Sequence, residues 1–80
     1  MEKYQYMGNI ISEWDSDRLP KWMVKLLKDK TLHWDNGELY CRVGWDDIQV
    51  NNNDWIVQKN DGELLVVPHF LVDYVPFMTD

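Results

Sequence analysis

The chain has 80 residues and a formal net charge of −6, with 14 acidic side chains against 8 basic ones. Hydrophobic residues make up 45% and aromatic residues 14%, which predicts a folded domain and excludes a disordered acidic tail. We expect a single domain, residues 1–80, because two halves would each be too small to bury a core. No apolar run is long enough to predict a membrane span or a secretion signal, so we expect a cytoplasmic protein.

The first part of the chain predicts a short strand followed by one helix. The strand covers residues 3–7, and polar residues follow it, with Ser16 or Asp17 as the N-cap of the helix. Over residues 19–30, apolar side chains recur at the spacing of an amphipathic helix. They are Leu19, Trp22, Met23, Leu26 and Leu27.

The remainder of the chain predicts short strands and a final helical turn. Asn36-Gly37 is a strong hairpin signal, because both central positions of a type I′ turn need positive φ. Alternation predicts that Cys41 and its neighbours at positions 39 and 43 face the core, as do Ile48 and Val50. The predicted strands are residues 31–35, 38–43, 46–50, 54–58 and 63–67, and the helical turn is residues 69–74.

This order of elements predicts an α+β domain. We expect one amphipathic helix packed on a small curled antiparallel sheet of about five to six short strands. The repeated hairpins are compatible with a barrel-like closure of the sheet, which would protect its edges.

Catalytic or metal chemistry finds little support in the sequence. His33 and His69 do not follow a metal-ligand motif, and the single Cys41 excludes an internal disulfide and a cysteine-built zinc site. Cys41 falls on the inward face of a predicted strand, where a free thiol behaves as a small hydrophobe. We therefore expect no enzyme activity, no catalytic residue, no metal and no cofactor.

The charges are unevenly distributed along the chain. Residues 18–30 carry a net charge of +4, whereas residues 31–80 carry −7. The basic side chains Arg18, Lys21, Lys25 and Lys28 either form the ordinary solvated face of a helix or contact the phosphates of DNA or RNA.

The acidic residues of the second half suggest a different interface. They either keep the domain soluble or present a surface that imitates nucleic acid to a basic protein. Trp14 and Trp45 have acidic neighbours, and each is either an exposed interface anchor or a lid folded over the sheet. The candidate partner-binding residues are Trp45, Asp46, Asp47, Asp54, Asp61 and Glu63.

Several short motifs resemble a widespread group of small bacteriophage proteins. The C-terminal part carries Asn-Asp-Trp-Ile-Val at residues 53–57 and Asp-Gly-Glu-Leu at residues 61–64, followed by Pro68, Phe70 and Tyr74. The start of the chain carries Gln-Tyr-Met-Gly-Asn at residues 5–9 and Leu-Pro-Lys-Trp-Met at residues 19–23. The function of this group is mostly unassigned, so the resemblance implies a phage origin and an order of elements but no catalytic residue.

Together these features predict a phage-encoded binding protein that inhibits a bacterial defence nuclease system, of the anti-CRISPR or anti-restriction type. Its partner would be a host protein that handles nucleic acid. One alternative is a small regulatory protein that binds DNA or RNA through the basic helix, and another is a virion or assembly component. Exposed tryptophans and sheet edges also allow a homodimer.

Overall fold

The structure, a computed structural model, describes residues 1–8 and 18–78. Two short 3-10 helices, His69–Tyr74 and Pro76–Met78, close the described part of the chain. The α+β class predicted from the sequence is confirmed, whereas the predicted N-cap at Ser16 or Asp17 lies outside the described residues. The other elements in chain order are β1 (Glu2–Gln5), α1 (Lys21–Lys28), β2 (Leu32–Asp35), β3 (Glu38–Val43), β4 (Asp46–Val50), β5 (Trp55–Gln58) and β6 (Leu64–Val67).

The helix buries the apolar stripe that its spacing predicts. Met23, Leu26 and Leu27 are buried in the core, and Leu19 and Trp22 pack against it while remaining partly exposed. Helix α1 is shorter than the predicted span of residues 19–30, because Pro20 precedes its first turn and the chain leaves helical geometry at Asp29. With eight residues it is far too short to cross a bilayer, and no other helix in the described ranges is longer.

The six strands form two separate antiparallel sheets instead of the one curled sheet that was expected, and the barrel-like closure that the hairpins allowed does not form. One sheet has the order β1-β5-β6 and the other has the order β2-β3-β4. The reason is that β1 occupies the edge of β5 that a continuous sheet would offer to β4. This pairing continues past β1, where the Tyr6 amide donates to the Asp54 carbonyl at 2.8 Å.

The first hairpin of the second sheet follows its turn signal. Asn36 and Gly37 have φ angles of 52° and 79°, so both central positions adopt the left-handed geometry of a type I′ turn. This turn sets the register in which Leu39 pairs with Trp34 and Cys41 pairs with Leu32. Leu39 and Cys41 are accordingly buried, as predicted.

The outer strand β4 is buried at one end only. Val50 lies in the core, as predicted. Ile48 was also predicted to face the core, but this is wrong, because its side chain is 38% exposed. All residues from position 44 to position 49 are exposed, because the tip of the β3–β4 hairpin extends beyond the part of the sheet that is covered. The hairpin tip is therefore free of core packing.

Burial of Cys41 gives a test of this core. The Cys41 thiol is fully buried, and this burial, helped by the nearby charge of Asp47, raises its pKa to about 11. The native thiol should therefore react with Ellman's reagent at pH 8 at least about 100-fold more slowly than the thiol of the chain unfolded in guanidinium, from the thiolate fraction alone.

The same pKa shift makes Cys41 contribute to the dependence of stability on pH. Between the unfolded value near 9 and the folded value near 11, the unfolded chain loses the Cys41 proton first, so the free energy of unfolding falls as the pH rises. Cys41 should account for about 2 kcal/mol of this loss by pH 11. Cys41→Ala should lack that part and keep the part that comes from Tyr6 and Tyr40, whose pKa values burial also raises. Rapid reaction of the native Cys41 thiol with Ellman's reagent would contradict the burial of this thiol.

Candidate partner-binding end with an exposed tryptophan

The β3–β4 hairpin presents Trp45 on a two-residue turn. Val43 pairs with Asp46, so only Gly44 and Trp45 connect the strands. Gly44 has a φ angle of 63° whereas Trp45 has no positive φ, the pattern of a type II′ turn that requires glycine at its first position. The turn is short and paired on both sides, so it holds the tryptophan at a defined place.

Trp45 is completely exposed, with 100% of its surface open to solvent. Of the two alternatives for this residue, an interface anchor and a lid over the sheet, only the anchor agrees with this exposure. Exposed aromatic side chains on a rigid element are typical of binding hot spots. Trp14, for which the sequence left the same choice, lies outside the described residues.

A second turn, between β5 and β6, carries the other acidic residues. The Lys59 amide donates to the Glu63 carbonyl at 2.8 Å, and the Gly62 amide donates to the Lys59 carbonyl at 2.9 Å. The Asp61 side chain accepts the Glu63 amide at 2.9 Å, and the Glu63 carboxylate lies 3.7 Å from the Lys59 ammonium. Asp61 and Glu63 are both exposed, so their charges face solvent while they also organise the turn.

The fold brings these two turns to a common cleft. This open cleft has a volume of about 450 Å³. Gly44 lies on one side of it and Gly62 on the other, and both Val43 and Leu64, which are half-buried, contribute apolar surface. The residues that line the cleft are Thr31, Arg42, Val43, Gly44, Gly62, Glu63 and Leu64.

We call Trp45, Asp46, Asp47, Asp61 and Glu63 together the acidic end. The two turns that carry these residues are 14 or more positions apart in sequence, and the cleft is what relates them in space. Four of the predicted acidic residues are thus exposed on or beside the two turns that line this cleft.

Asp47 has basic neighbours that sequence reasoning missed. Arg42 and Asp47 are directly paired in the β3–β4 register, and the Arg42 Nε lies 3.5 Å from the carboxylate. The His33 Nε2 lies 3.7 Å from the other carboxylate oxygen, and the His33 ring stacks on Tyr40. The signal for the first pair was present in the sequence, because a two-residue turn at Gly44-Trp45 places positions 42 and 47 opposite each other.

Asp54 does not belong to the exposed acidic surface, and its prediction as a partner-binding residue is corrected. It is 4% exposed, the only buried charged side chain among the described residues. Its carboxylate accepts the Asn51 amide at 3.0 Å and the His69 amide at 3.1 Å, and the His69 Nδ1 lies 3.2 Å away. Asp54 therefore joins the β4–β5 turn to the first 3-10 helix.

The basic residues lie on the helix and just before it. Arg18, Lys21, Lys25 and Lys28 are all exposed, and the apolar stripe of α1 is on the buried side. Lys25 and Lys28 are in the last turn, where the negative end of the helix dipole favours cations. The structure therefore retains a basic helix surface as a second charged region.

The two histidines and the cysteine have different neighbours. His33 lies beside Tyr40 and Asp47, whereas His69 lies beside Asp54 and Cys41 lies in the core. Across residues 1–8 and 18–78, no three His, Cys, Asp or Glu side chains come together as a metal-binding group.

Asp54 and Asp46 form a matched pair for testing this division between structural and surface acids. Asp54→Ala leaves two backbone N–H donors without their acceptor and should lower the free energy of unfolding by about 2–4 kcal/mol. Asp46→Ala removes an exposed charge and should change it by less than about 0.5 kcal/mol. Urea denaturation of both variants measures the difference, and equal stabilities would contradict the role given to Asp54.

Comparison with known proteins adds no relative to this picture. A scan against protein-family models, a search of curated proteins and a search of solved structures each found no match. The resemblance to small bacteriophage proteins therefore stays a prediction from the sequence motifs.

Proposed function

We propose that this protein is a phage-encoded, non-catalytic binding protein that inhibits a bacterial defence nuclease system of the anti-CRISPR or anti-restriction type. Its acidic end competes with nucleic acid for a basic site, or covers that site, on a host protein in the cytoplasm of the infected cell. The phage origin comes from the motif resemblance. The choice of a defence system follows from that origin, because a small non-catalytic phage protein is useful if it blocks a larger host machine. The binding mode comes from the acidic end.

The observation that carries the proposal is the complete exposure of Trp45, next to Asp46, on a two-residue turn that is paired on both sides. Leaving a large aromatic side chain in water forgoes the free energy of its burial, roughly 1.5–3 kcal/mol for a large apolar side chain. A protein partner that covers Trp45 recovers this free energy, which is why tryptophan is enriched among hot-spot residues.

The acidic residues of the acidic end restrict the chemistry of the partner. Asp46, Asp61 and Glu63 are exposed, and negative surfaces steer basic partners and raise their association rates. A nucleic-acid site on a protein is basic because it must neutralise phosphates. An acidic end of this kind therefore suits a protein that normally handles nucleic acid.

The alternative function uses the exposed basic helix. Lys21, Lys25 and Lys28 are available to contact phosphates, but the net charge of −6 opposes sequence-independent binding of nucleic acid. A gel shift at low salt tests this alternative directly. A complex lost in the variant Lys25→Glu/Lys28→Glu would support it, and mass spectrometry of purified particles would test a virion role.

The partner is sought by affinity capture from a bacterial host lysate. The tagged protein is incubated with nuclease-treated lysate, and the retained proteins are identified by mass spectrometry. We expect one large nucleic-acid-handling protein that is released at high salt. Retention of phage structural proteins, or of nothing, would contradict the proposal.

The role of Trp45 is tested on the captured complex. Trp45→Ala should weaken binding by about 30-fold or more, the effect of a hot-spot residue, and leave the free energy of unfolding unchanged. Tyr74→Ala is the matched control, because Tyr74 is also an aromatic residue with 80% exposure but lies in the first 3-10 helix. Equal affinity of the two variants would overturn the assignment of Trp45.

The role of the acidic charges is tested by charge reversal. Asp46→Lys/Glu63→Lys should lower the association rate constant about tenfold or more at low salt and weaken its salt dependence. Asp35→Lys/Asp73→Lys makes the same change in net charge at two exposed positions outside the acidic end. If both double variants associate at the same rate, net charge alone matters and the acidic end does not.

A further inference from the structure

The cleft between the two hairpin turns combines apolar surface with a carboxylate. Val43 and Leu64 provide the apolar part, and Glu63 provides the negative charge. Gly44 and Gly62 line the same cleft, and a Cβ atom added at either glycine would meet no other atom within 4 Å. The cleft is therefore open space that the protein does not fill with its own side chains.

We propose that this cleft receives an arginine side chain of the partner protein. The inference rests on the proposed function, because it names the group of the partner that the acidic end recognises. The arginine places its aliphatic stem on Val43 and Leu64 and its guanidinium against Glu63, with the indole of Trp45 at the mouth of the cleft.

Side-chain shape favours this occupant. The stem of arginine is apolar and its head is charged, so it matches a site with an apolar part and a polar edge. Arginine also exceeds lysine in two respects that this site can use. Its planar guanidinium forms paired hydrogen bonds with a carboxylate, and it stacks on the face of an aromatic ring.

Trp45 can supply the aromatic part of this recognition. It follows Gly44, which lines the cleft, and it is completely exposed. Cations are attracted to the face of a tryptophan ring more than to any other aromatic side chain. A carboxylate in the cleft and an exposed aromatic ring next in sequence to a cleft residue thus supply the two groups that an arginine can use.

The charges that surround the cleft are compatible with a cationic ligand. Among the described residues, Arg42 is the one basic residue that lines it, and its Nε lies 3.5 Å from the Asp47 carboxylate. Two exposed acidic residues are adjacent to the cleft lining: Asp46 pairs with Val43, and Asp61 precedes Gly62 in the sequence. The Glu63 carboxylate also lies 3.7 Å from the Lys59 ammonium. Exposed ion pairs of this kind are weak, so the guanidinium of a partner can replace Lys59 beside Glu63.

The inference can be tested without knowing the partner. The full chain, labelled with ¹⁵N, is titrated with a capped pentapeptide that has one central arginine between glycine and serine residues. The matched peptide carries citrulline, which has the shape of arginine without its charge. Binding is followed through the amide signals of Gly44, Gly62 and Glu63 and the indole N–H signal of Trp45.

We expect these signals to shift and to saturate at millimolar peptide, with the citrulline peptide binding at least about tenfold more weakly. A lysine peptide should bind more weakly than the arginine peptide. Glu63→Gln should weaken arginine binding, whereas Glu38→Gln, an exposed glutamate on β3 that does not line the cleft, should leave it unchanged.

Equal binding of the arginine, lysine and citrulline peptides would overturn the inference, as would shifts confined to other parts of the protein. Failure here is distinguishable from failure of the proposed function. A host protein captured through Trp45, with no response of the cleft to arginine, would remove this inference alone. A cleft that binds arginine while no host protein is captured would keep the inference and contradict the proposed inhibitor.

Discussion

The arrangement of the described part of the chain depends on how the buried carboxylate of Asp54 is satisfied. Asp54 lies where the chain leaves one sheet and enters the other, and its side chain accepts amides from Asn51 and His69. Its backbone carbonyl also accepts the Tyr6 amide, which continues the pairing of β1 with β5. A buried charge is expensive unless it is hydrogen-bonded, so the two amide hydrogen bonds to the carboxylate must form together. One residue thereby joins the N-terminal strand, the β4–β5 turn and the first 3-10 helix.

This junction has consequences at the candidate binding end. It sets the sheet that contains β5 and β6 beside the sheet that contains β3 and β4, and the turns of the two hairpins line one cleft. Each turn has its own local reason for its shape, a glycine with positive φ at Gly44 and at Gly62. The meeting of Gly44, which precedes Trp45, and Glu63 at the same cleft has no local reason, because it follows from the packing of the sheets.

The acidic residues differ in what their charges do. The Asp54 carboxylate is buried and accepts hydrogen bonds within the fold. Asp61 organises a turn, and Asp47 lies beside Arg42. Asp46 is exposed next to Trp45. Exposed ion pairs contribute little to stability, so the acids at the surface remain available to a partner that brings stronger cationic groups. The net charge of the chain therefore overstates how many carboxylates can act in binding, and it does not distinguish them.

Local patterns alone predicted much of this protein. Alternation, helical spacing and turn chemistry act between residues close in sequence. They account for the spans of β3 and β4, the 3-10 helix at residues 69–74, the Asn36-Gly37 turn and the buried stripe of α1. Only the tertiary structure decided four other features, which are the division into two sheets, the burial of Asp54, the exposure of Ile48 and the cleft at the acidic end. These features depend on which distant strand takes each free sheet edge and on which surfaces the short helix can cover, and no pattern within a few residues encodes that competition.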